Sequence, residues 1–202
     1  MQIRMEEKDD YFEVEEMVRN AFWNIYRPGA YEHFIVHNLR GHESFIKDLA
    51  YVIEDDGEII GHINYSYGII TYENGSEDNA IVLGPIAIDE KCQRMGYGSK
   101  LIEFTLTVAE RMGIPYVLVV GDENYYSRFG FESASKYGIY LDGTDTSEEC
   151  PFFMIKIFDE SKVKRGIFKN SDVFDVDESE VDEFDRTFKY KEKLILEGQL
   201  GV

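Results

Sequence analysis

The sequence predicts an α/β domain of the α+β kind, with a mixed, mostly antiparallel sheet flanked by helices. Three observations predict it. Two amphipathic helical stretches come first, and a hairpin with further short β-rich runs follows them. Between those runs, one strand passes through a glycine-containing loop into a helix and on to another strand. The 202-residue length suits one domain with a terminal extension, expected as 1–164 for the domain and 165–202 for an acidic C-terminal extension packed on it.

Val14, Met17, Val18, Ala21 and Phe22 recur at helical spacing behind Asp9 and Asp10, acids suited to cap and complement a helix start. Pro28 and Gly29 interrupt. Tyr31, Phe34, Ile35 and Leu39 then mark a second amphipathic helix that stops at Gly41. Residues 49–54 and 58–70 read as a β-hairpin about Asp56-Gly57, and Asn74-Gly75 turns the chain again. Residues 80–88 form an apolar run rich in Ile and Val, too short for a typical helix and suited to a central strand. Leu101, Ile102, Thr105, Leu106, Ala109 and Met112 follow at helical spacing, closed by Gly113 and Pro115. A strand over 115–120, a short helix over 122–129 ended by Gly130, and strands over 137–141 and 152–158 complete the pattern. Past Lys164 the periodicity fades, and 171–202 holds 10 acids and 4 bases with apolar residues interspersed. No repeat or low-complexity linker separates it, which favours packing over a free tail.

Forty acidic residues against 21 basic give a net charge of −19, which argues against sequence-independent nucleic-acid binding because phosphate neutralisation needs clustered Lys and Arg. Nothing at the N-terminus resembles an export signal, and no apolar run has the length that spans a bilayer, so a cytoplasmic protein without membrane contact is expected. Cys92 and Cys150 form no CxxC spacing, which suggests neither a disulfide framework nor a zinc site. Asn64-Tyr65-Ser66 and Asn74-Gly75-Ser76 match the glycosylation pattern by chance on this reading. His33 and His37 stand at i and i+4 with His42 nearby, but no HExxH accompanies them. A solvated or half-buried helix face is expected there, and no metal.

The informative block is Asp89-Glu90-Lys91-Cys92-Gln93-Arg94-Met95-Gly96-Tyr97-Gly98-Ser99. Between a strand and a helix, its glycines permit close backbone approach, while free N–H groups and the helix dipole favour phosphate oxygens. A Walker loop and a dinucleotide fingerprint are both absent. Taken with Leu83-Gly84-Pro85-Ile86-Ala87-Ile88 before it and Tyr125-Tyr126-Ser127-Arg128-Phe129-Gly130-Phe131 after the next strand, the block resembles the GNAT superfamily of acetyl-CoA-dependent N-acyltransferases. Gln93-x-x-Gly96-x-Gly98 matches the family's [RQ]-x-x-G-x-[GA] pyrophosphate motif, and Tyr126 to Phe131 matches its Tyr-x-x-x-Gly-Phe segment. Many members carry an Asn seven residues before that Tyr. Here the position is Val119, and Asp122 is suited to cap the short helix instead. The segment is similar to that of a subgroup of predicted acetyltransferases with GD-x-x-YY-x-R-F-G-F.

The resemblance implies a GNAT-like acyl-CoA N-acyltransferase fold, acetyl-CoA as cofactor, and transfer of its acetyl group to a primary amine by direct attack. It places the pyrophosphate on Gln93, Arg94, Met95, Gly96, Tyr97, Gly98 and Ser99, and the thioester and pantetheine along Ile86, Ala87 and Ile88, where a backbone N–H serves the oxyanion. Tyr126 becomes the acid that protonates the CoA sulfur, Tyr125 a packing residue, and Cys92 a neighbour of the loop rather than a nucleophile. Glu32, Glu43, Asp122 or a water relay could take the amine proton, and no spacing selects among them. The expected acceptor is a small-molecule or peptide amine, with a homodimer left open. A non-catalytic acyl-CoA-binding or sensing protein on the same fold is the alternative reading, and a nucleotide-binding regulatory domain the third.

Overall fold

The computed structural model describes residues 1–199. Its strands hydrogen-bond in the order β1 (Gln2–Met5), β2 (Tyr51–Asp55), β3 (Glu58–Tyr72), β4 (Glu77–Ile88), β5 (Tyr116–Val120), β8 (Phe153–Ile157) and β6 (Glu132–Ser133), with β9 (Gly166–Lys169) on β3 and β7 (Ile139–Leu141) on β9. The β1–β2, β2–β3, β3–β9, β5–β8 and β6–β8 ladders are antiparallel, whereas β4–β5 and β7–β9 are parallel. The expected mixed, mostly antiparallel sheet with helices is what forms.

The chain divides into two compact units. Among the described residues, one comprises 1–64, 85–101 and 172–199, and the other 65–84 and 102–171. In the first, α1 (Tyr11–Phe22) and α2 (Glu32–Leu39) turn Val14, Met17, Val18 and Val36 onto Val52, Ile59 and Ala87 of the strands. The acids expected to cap α1 do not do so. Asp10 turns its carboxylate back to the Glu7 N–H at 2.7 Å and to both ends of the Arg4 guanidinium at 2.7 and 2.8 Å, a two-pronged charged contact stronger than a cap. Strand β1, which the hydrophobic pattern does not mark, is held by the same Arg4, whose Nε reaches Glu54 on β2 at 2.7 Å.

The tail has more structure than its fading periodicity suggests. It supplies β9 and α5 (Glu178–Asp185), the latter capped by Asp177, which accepts the Ser179 N–H at 2.7 Å. Buried Arg19 of α1 pairs with Asp185 through Nε and Nη2 at 2.5 and 3.1 Å, and its guanidinium lies over the Trp23 ring. Trp23 Nε1 and Asn24 Nδ2 both donate to the Glu192 carbonyl, so residues 185–192 are tied to α1 and its following loop.

In the second unit Ile70, Val82, Leu118, Phe153, Ile155 and Phe168 form the core. Helix α3 (Tyr97–Arg111), whose residues to Leu101 belong to the first unit and whose remainder belongs to the second, buries Leu101, Ile102, Thr105, Leu106 and Ala109, the face its spacing predicts. After β5, α4 (Glu123–Tyr126) and a 3₁₀ turn (Ser127–Phe129) occupy the expected short helix. No helix among the described residues is long and apolar enough to cross a membrane.

Candidate active site

The glycine loop begins where β4 ends. Asp89 caps a 3₁₀ turn (Glu90–Cys92) by accepting the Lys91 N–H at 2.9 Å, and the Gln93 amide reaches back from Nε2 to the Ile88 carbonyl at 3.1 Å. Thus Ile86, Ala87 and Ile88 on β4 and the loop from Gln93 to Ser99 are joined in one unit. Arg94 and Gly96 both adopt left-handed backbone, with φ of 62° and 87°. At Gly96 a Cβ would meet no atom within 4 Å, so the space above its backbone is open to a ligand. The first intrahelical bond joins the Lys100 N–H to the Gly96 carbonyl at 3.1 Å. The amides before it have no helical carbonyl to serve, which is what an anion requires.

Gln93, Arg94, Met95 and Gly96 line the outer part of this loop, where Met95 is 62% exposed and contributes nothing to the core, whereas Tyr97, Gly98 and Ser99 are half-buried. Burial, and then the Asp89 charge, push the Cys92 thiol pKa up, the reverse of an activated nucleophile.

On β4, the ladder with β5 pairs Ile81, Val82 and Leu83 with Val117, Leu118 and Val119, while the strand itself continues to Ile88. Gly84 follows the last paired residue with φ 132°. Ala87 is buried, and Ile86 and Ile88 are half-buried.

Tyr126 lies in the second unit and is 8% exposed. Asp122 caps its short helix as expected, accepting the Asn124 N–H at 2.9 Å. Gly121 makes room for the ring, since a Cβ there would stand 2.3 Å from Tyr126 Cε2. Tyr125 and Phe131 meet the ring edge-on at 5.1 and 5.7 Å. The motif spacing does not reveal a hydroxyl pair in the same unit: Tyr65 Oη lies 2.8 Å from Thr105 Oγ1, both buried. The available signal was a polar Thr105 within the apolar stripe of α3.

The candidate bases differ in environment. Glu43 is exposed, and Asp122 is committed to its cap. Glu32 is half-buried in the first turn of α2, accepts the Tyr31 N–H at 3.0 Å, and has its pKa raised by burial. Of the two histidines, His37 is exposed, in keeping with the expected solvated or half-buried face, whereas His33 is not. His33 is fully enclosed beside Phe184 and Phe188, and its Nε2 stands 3.3 Å from Asp185, whereas His37 Nδ1 meets Glu15 at 2.9 Å. Different carboxylates engage the two rings, and among the described residues no three His, Cys, Asp or Glu side chains converge as metal ligands. Asn64 is fully buried in β3 and so unsuited to carry a glycan.

The chain is similar to several known proteins. The uncharacterized N-acetyltransferase YhbS of Escherichia coli strain K12 is 30% identical over 105 residues, 52% of this chain and 60% of YhbS. The uncharacterized N-acetyltransferase YjhQ of the same strain is 31% identical over 100 residues, 48% of this chain and 54% of YjhQ. These alignments therefore span little more than half the length of the curated relatives. Among solved structures, a GNAT family acetyltransferase from Brucella melitensis in complex with acetyl-CoA superposes with a TM-score of 0.70 at 26% identity, covering 86% of this chain and 97% of that one. The sequence model of the acetyltransferase (GNAT) family matches residues 9–131, from the start of α1 through Tyr126 to Phe131, and the chain belongs to that family.

Proposed function

We propose that the protein is an acetyl-CoA-dependent N-acetyltransferase that acts on a primary amine by direct attack. The observation that carries this reading is Gly96, left-handed and open above its backbone at the head of α3, on a loop that Gln93 fastens to β4. Such a loop suits a pyrophosphate, and the related Brucella melitensis structure holds acetyl-CoA.

In the proposed reaction the amine lone pair attacks the thioester carbonyl carbon. A C–N bond forms, the carbonyl electron pair moves onto oxygen, and a backbone N–H along Ile86, Ala87 and Ile88 stabilises the oxyanion. Collapse breaks the C–S bond, and Tyr126 gives its proton to the departing sulfur. Since an ammonium ion must lose one proton to attack and another to become an amide, the net reaction releases one proton after Tyr126 is restored. Glu32, with its proton affinity raised by burial, is the carboxylate best suited among the candidates to receive the first.

The test is CoA release from acetyl-CoA against a panel of small amines and peptide N-termini, with CoA affinity measured by calorimetry. Amine-dependent release with acetylated product is expected. Micromolar binding without turnover on any amine would instead favour an acyl-CoA sensor, and competition by ATP or NAD but not by CoA would favour a nucleotide-binding domain.

A further inference from the structure

Two residues beyond α1, Asn24 takes left-handed backbone at φ 60°, a conformation that Asn tolerates better than most side chains. Its N–H donates to the Gly29 carbonyl at 2.8 Å, and its Oδ1 accepts the Gly29 N–H at 2.8 Å, so this one residue closes the loop between α1 and α2. The C-terminal extension grips the same residue. Asn24 Nδ2 donates to the Glu192 carbonyl at 3.1 Å, Oδ1 also accepts the Leu194 N–H at 3.1 Å, and the Asn24 carbonyl accepts from Gln199 Nε2 at 3.0 Å. Gly29 lets this strap lie close, since a Cβ there would stand 2.9 Å from Lys193 Cε. Gln199 is buried, and its amide also holds the Leu194 carbonyl and the Leu196 N–H, which gives the strap a fixed shape of its own. All of these residues belong to the first unit, and 192–199 lie beyond the stretch 9–131 that the family model matches.

The closed loop leads directly into Glu32. Arg27 lays its guanidinium over the Tyr31 ring at 4.0 Å, and Glu32 turns its carboxylate back to accept the Tyr31 N–H at 3.0 Å. The direction of that carboxylate therefore follows the backbone that Asn24 shapes. We propose that Asn24 is a positioning residue for Glu32: clasped by residues 192–199, it holds the loop in one form and so aims the carboxylate that receives the amine proton. This inference rests on Glu32 being the base of the proposed reaction. A loop released from the clasp lets Glu32 move with Tyr31, and a misplaced base slows the chemical step without touching the cofactor.

The test is steady-state kinetics with a working acceptor for the wild type, Asn24→Gly, Asn24→Asp, Gln199→Ala and Glu32→Gln, with CoA affinity and Tm measured alongside. Asn24→Gly accepts the left-handed backbone and removes the side-chain bonds. It lowers kcat by about 10-fold to 100-fold, while the acceptor KM and the CoA affinity stay constant. Asn24→Asp keeps an oxygen for the Gly29 and Leu194 N–H groups and retains most of the wild-type kcat. In a Glu32→Gln background Asn24→Gly costs nothing more, because its effect is exerted through the carboxylate already removed. Gln199→Ala loosens the strap with Asn24 in place, lowers kcat in the same way, and carries the test in the same two backgrounds if Asn24→Gly does not fold. If Glu32→Gln lowers kcat but the Asn24 and Gln199 variants lower it equally in both backgrounds, or in neither, the positioning role alone is overturned. Wild-type kcat in Glu32→Gln overturns the base assignment and this inference together.

Discussion

Gln93 donates from its side-chain amide to the carbonyl of Ile88 at 3.1 Å, and this bond ties the glycine loop to the end of β4. It spans five residues and crosses the turn capped by Asp89, so the position of the loop is fixed from both sides. Gln93→Leu keeps the bulk and removes the bond. Loss of one exposed neutral hydrogen bond, worth about 1 kcal/mol, should weaken CoA binding about fivefold with little change in Tm. Calorimetric titration checks this, and unchanged affinity would separate the clamp from the cofactor site.

Gly96 gives a sharper contrast. At φ 87° a β-branched residue is strained by about 1 to 3 kcal/mol, yet its Cβ meets no protein atom within 4 Å. Gly96→Val should therefore fold with a modest loss of stability while its side chain occupies the space assigned to the pyrophosphate. CoA binding should fall below detection in calorimetry, with Gly96→Ala intermediate. If folded Gly96→Val binds CoA as the wild type does, the loop is not the phosphate site.

Much of this arrangement was legible in the sequence because local chemistry dictates it. Asp56-Gly57 turns the β2–β3 hairpin, Asn74-Gly75 turns β3 into β4, and Asp122 caps α4, each through contacts within a few residues. What escaped depends on partners distant in the chain. Asp10 is a plausible cap until Arg4 claims its carboxylate, and the four residues of β1, Gln2 to Met5, are too few for their alternation to stand out without β2 beside them. Helix α5 buries little beyond Val181 along an otherwise acidic surface, so its apolar period is weak. His33 reads in sequence as part of a solvated or half-buried face because the aromatic residues that enclose it, Phe184 and Phe188, arrive from near the other end of the chain. The glycine loop could be read for its chemistry, but the Tyr65–Thr105 pair could not, since strand and helix periodicity do not say which polar residues will meet.

His33 makes stability depend on pH. Burial, aided by the positive charge of Arg19, lowers its pKa from 6.5 to about 4 despite Asp185 nearby. The unfolded chain takes up a proton as pH falls through 6.5, while the folded protein resists until about 4. The contribution is thus complete above the unfolded value and is lost between those two pH values. Between about pH 7.5 and 4.5 the wild type should lose about 2 to 3 kcal/mol more than His33→Gln, which cannot charge. Urea unfolding at both pH values measures the difference, and equal losses would show that His33 titrates normally when folded.

Arg19 and Asp185 test the attachment of α5. Arg19 is 1% exposed, so removing its partner leaves a charge without water. Asp185→Ala should cost about 3 to 5 kcal/mol, while the double variant Arg19→Met with Asp185→Leu should recover most of it, because it removes both charges and keeps apolar volume. Equilibrium unfolding of the single and double variants decides the matter. A double variant as unstable as Asp185→Ala would mean that the ion pair itself, rather than the stranded charge, sets the stability.

Tyr126 is where membership of the family becomes a claim about chemistry. Its ring packs against Phe131 and over Gly121, contacts that Phe would preserve, so Tyr126→Phe isolates the hydroxyl. Without a proton donor for the departing thiolate, kcat should fall by about 10² to 10⁴ while CoA affinity changes little. The lower end is expected, because a thiolate is already a reasonable leaving group and water can reach a site that admits substrate. Tyr125→Phe is the internal control. That residue meets Tyr126 edge-on and carries the Arg128 guanidinium over its ring, which are ring contacts that do not need its hydroxyl. Steady-state rates for the two variants at matched Tm therefore read the hydroxyl of one tyrosine against that of its neighbour. If Tyr126→Phe retains the wild-type kcat, or Tyr125→Phe loses more, another group protonates the sulfur, even in a protein that acetylates amines.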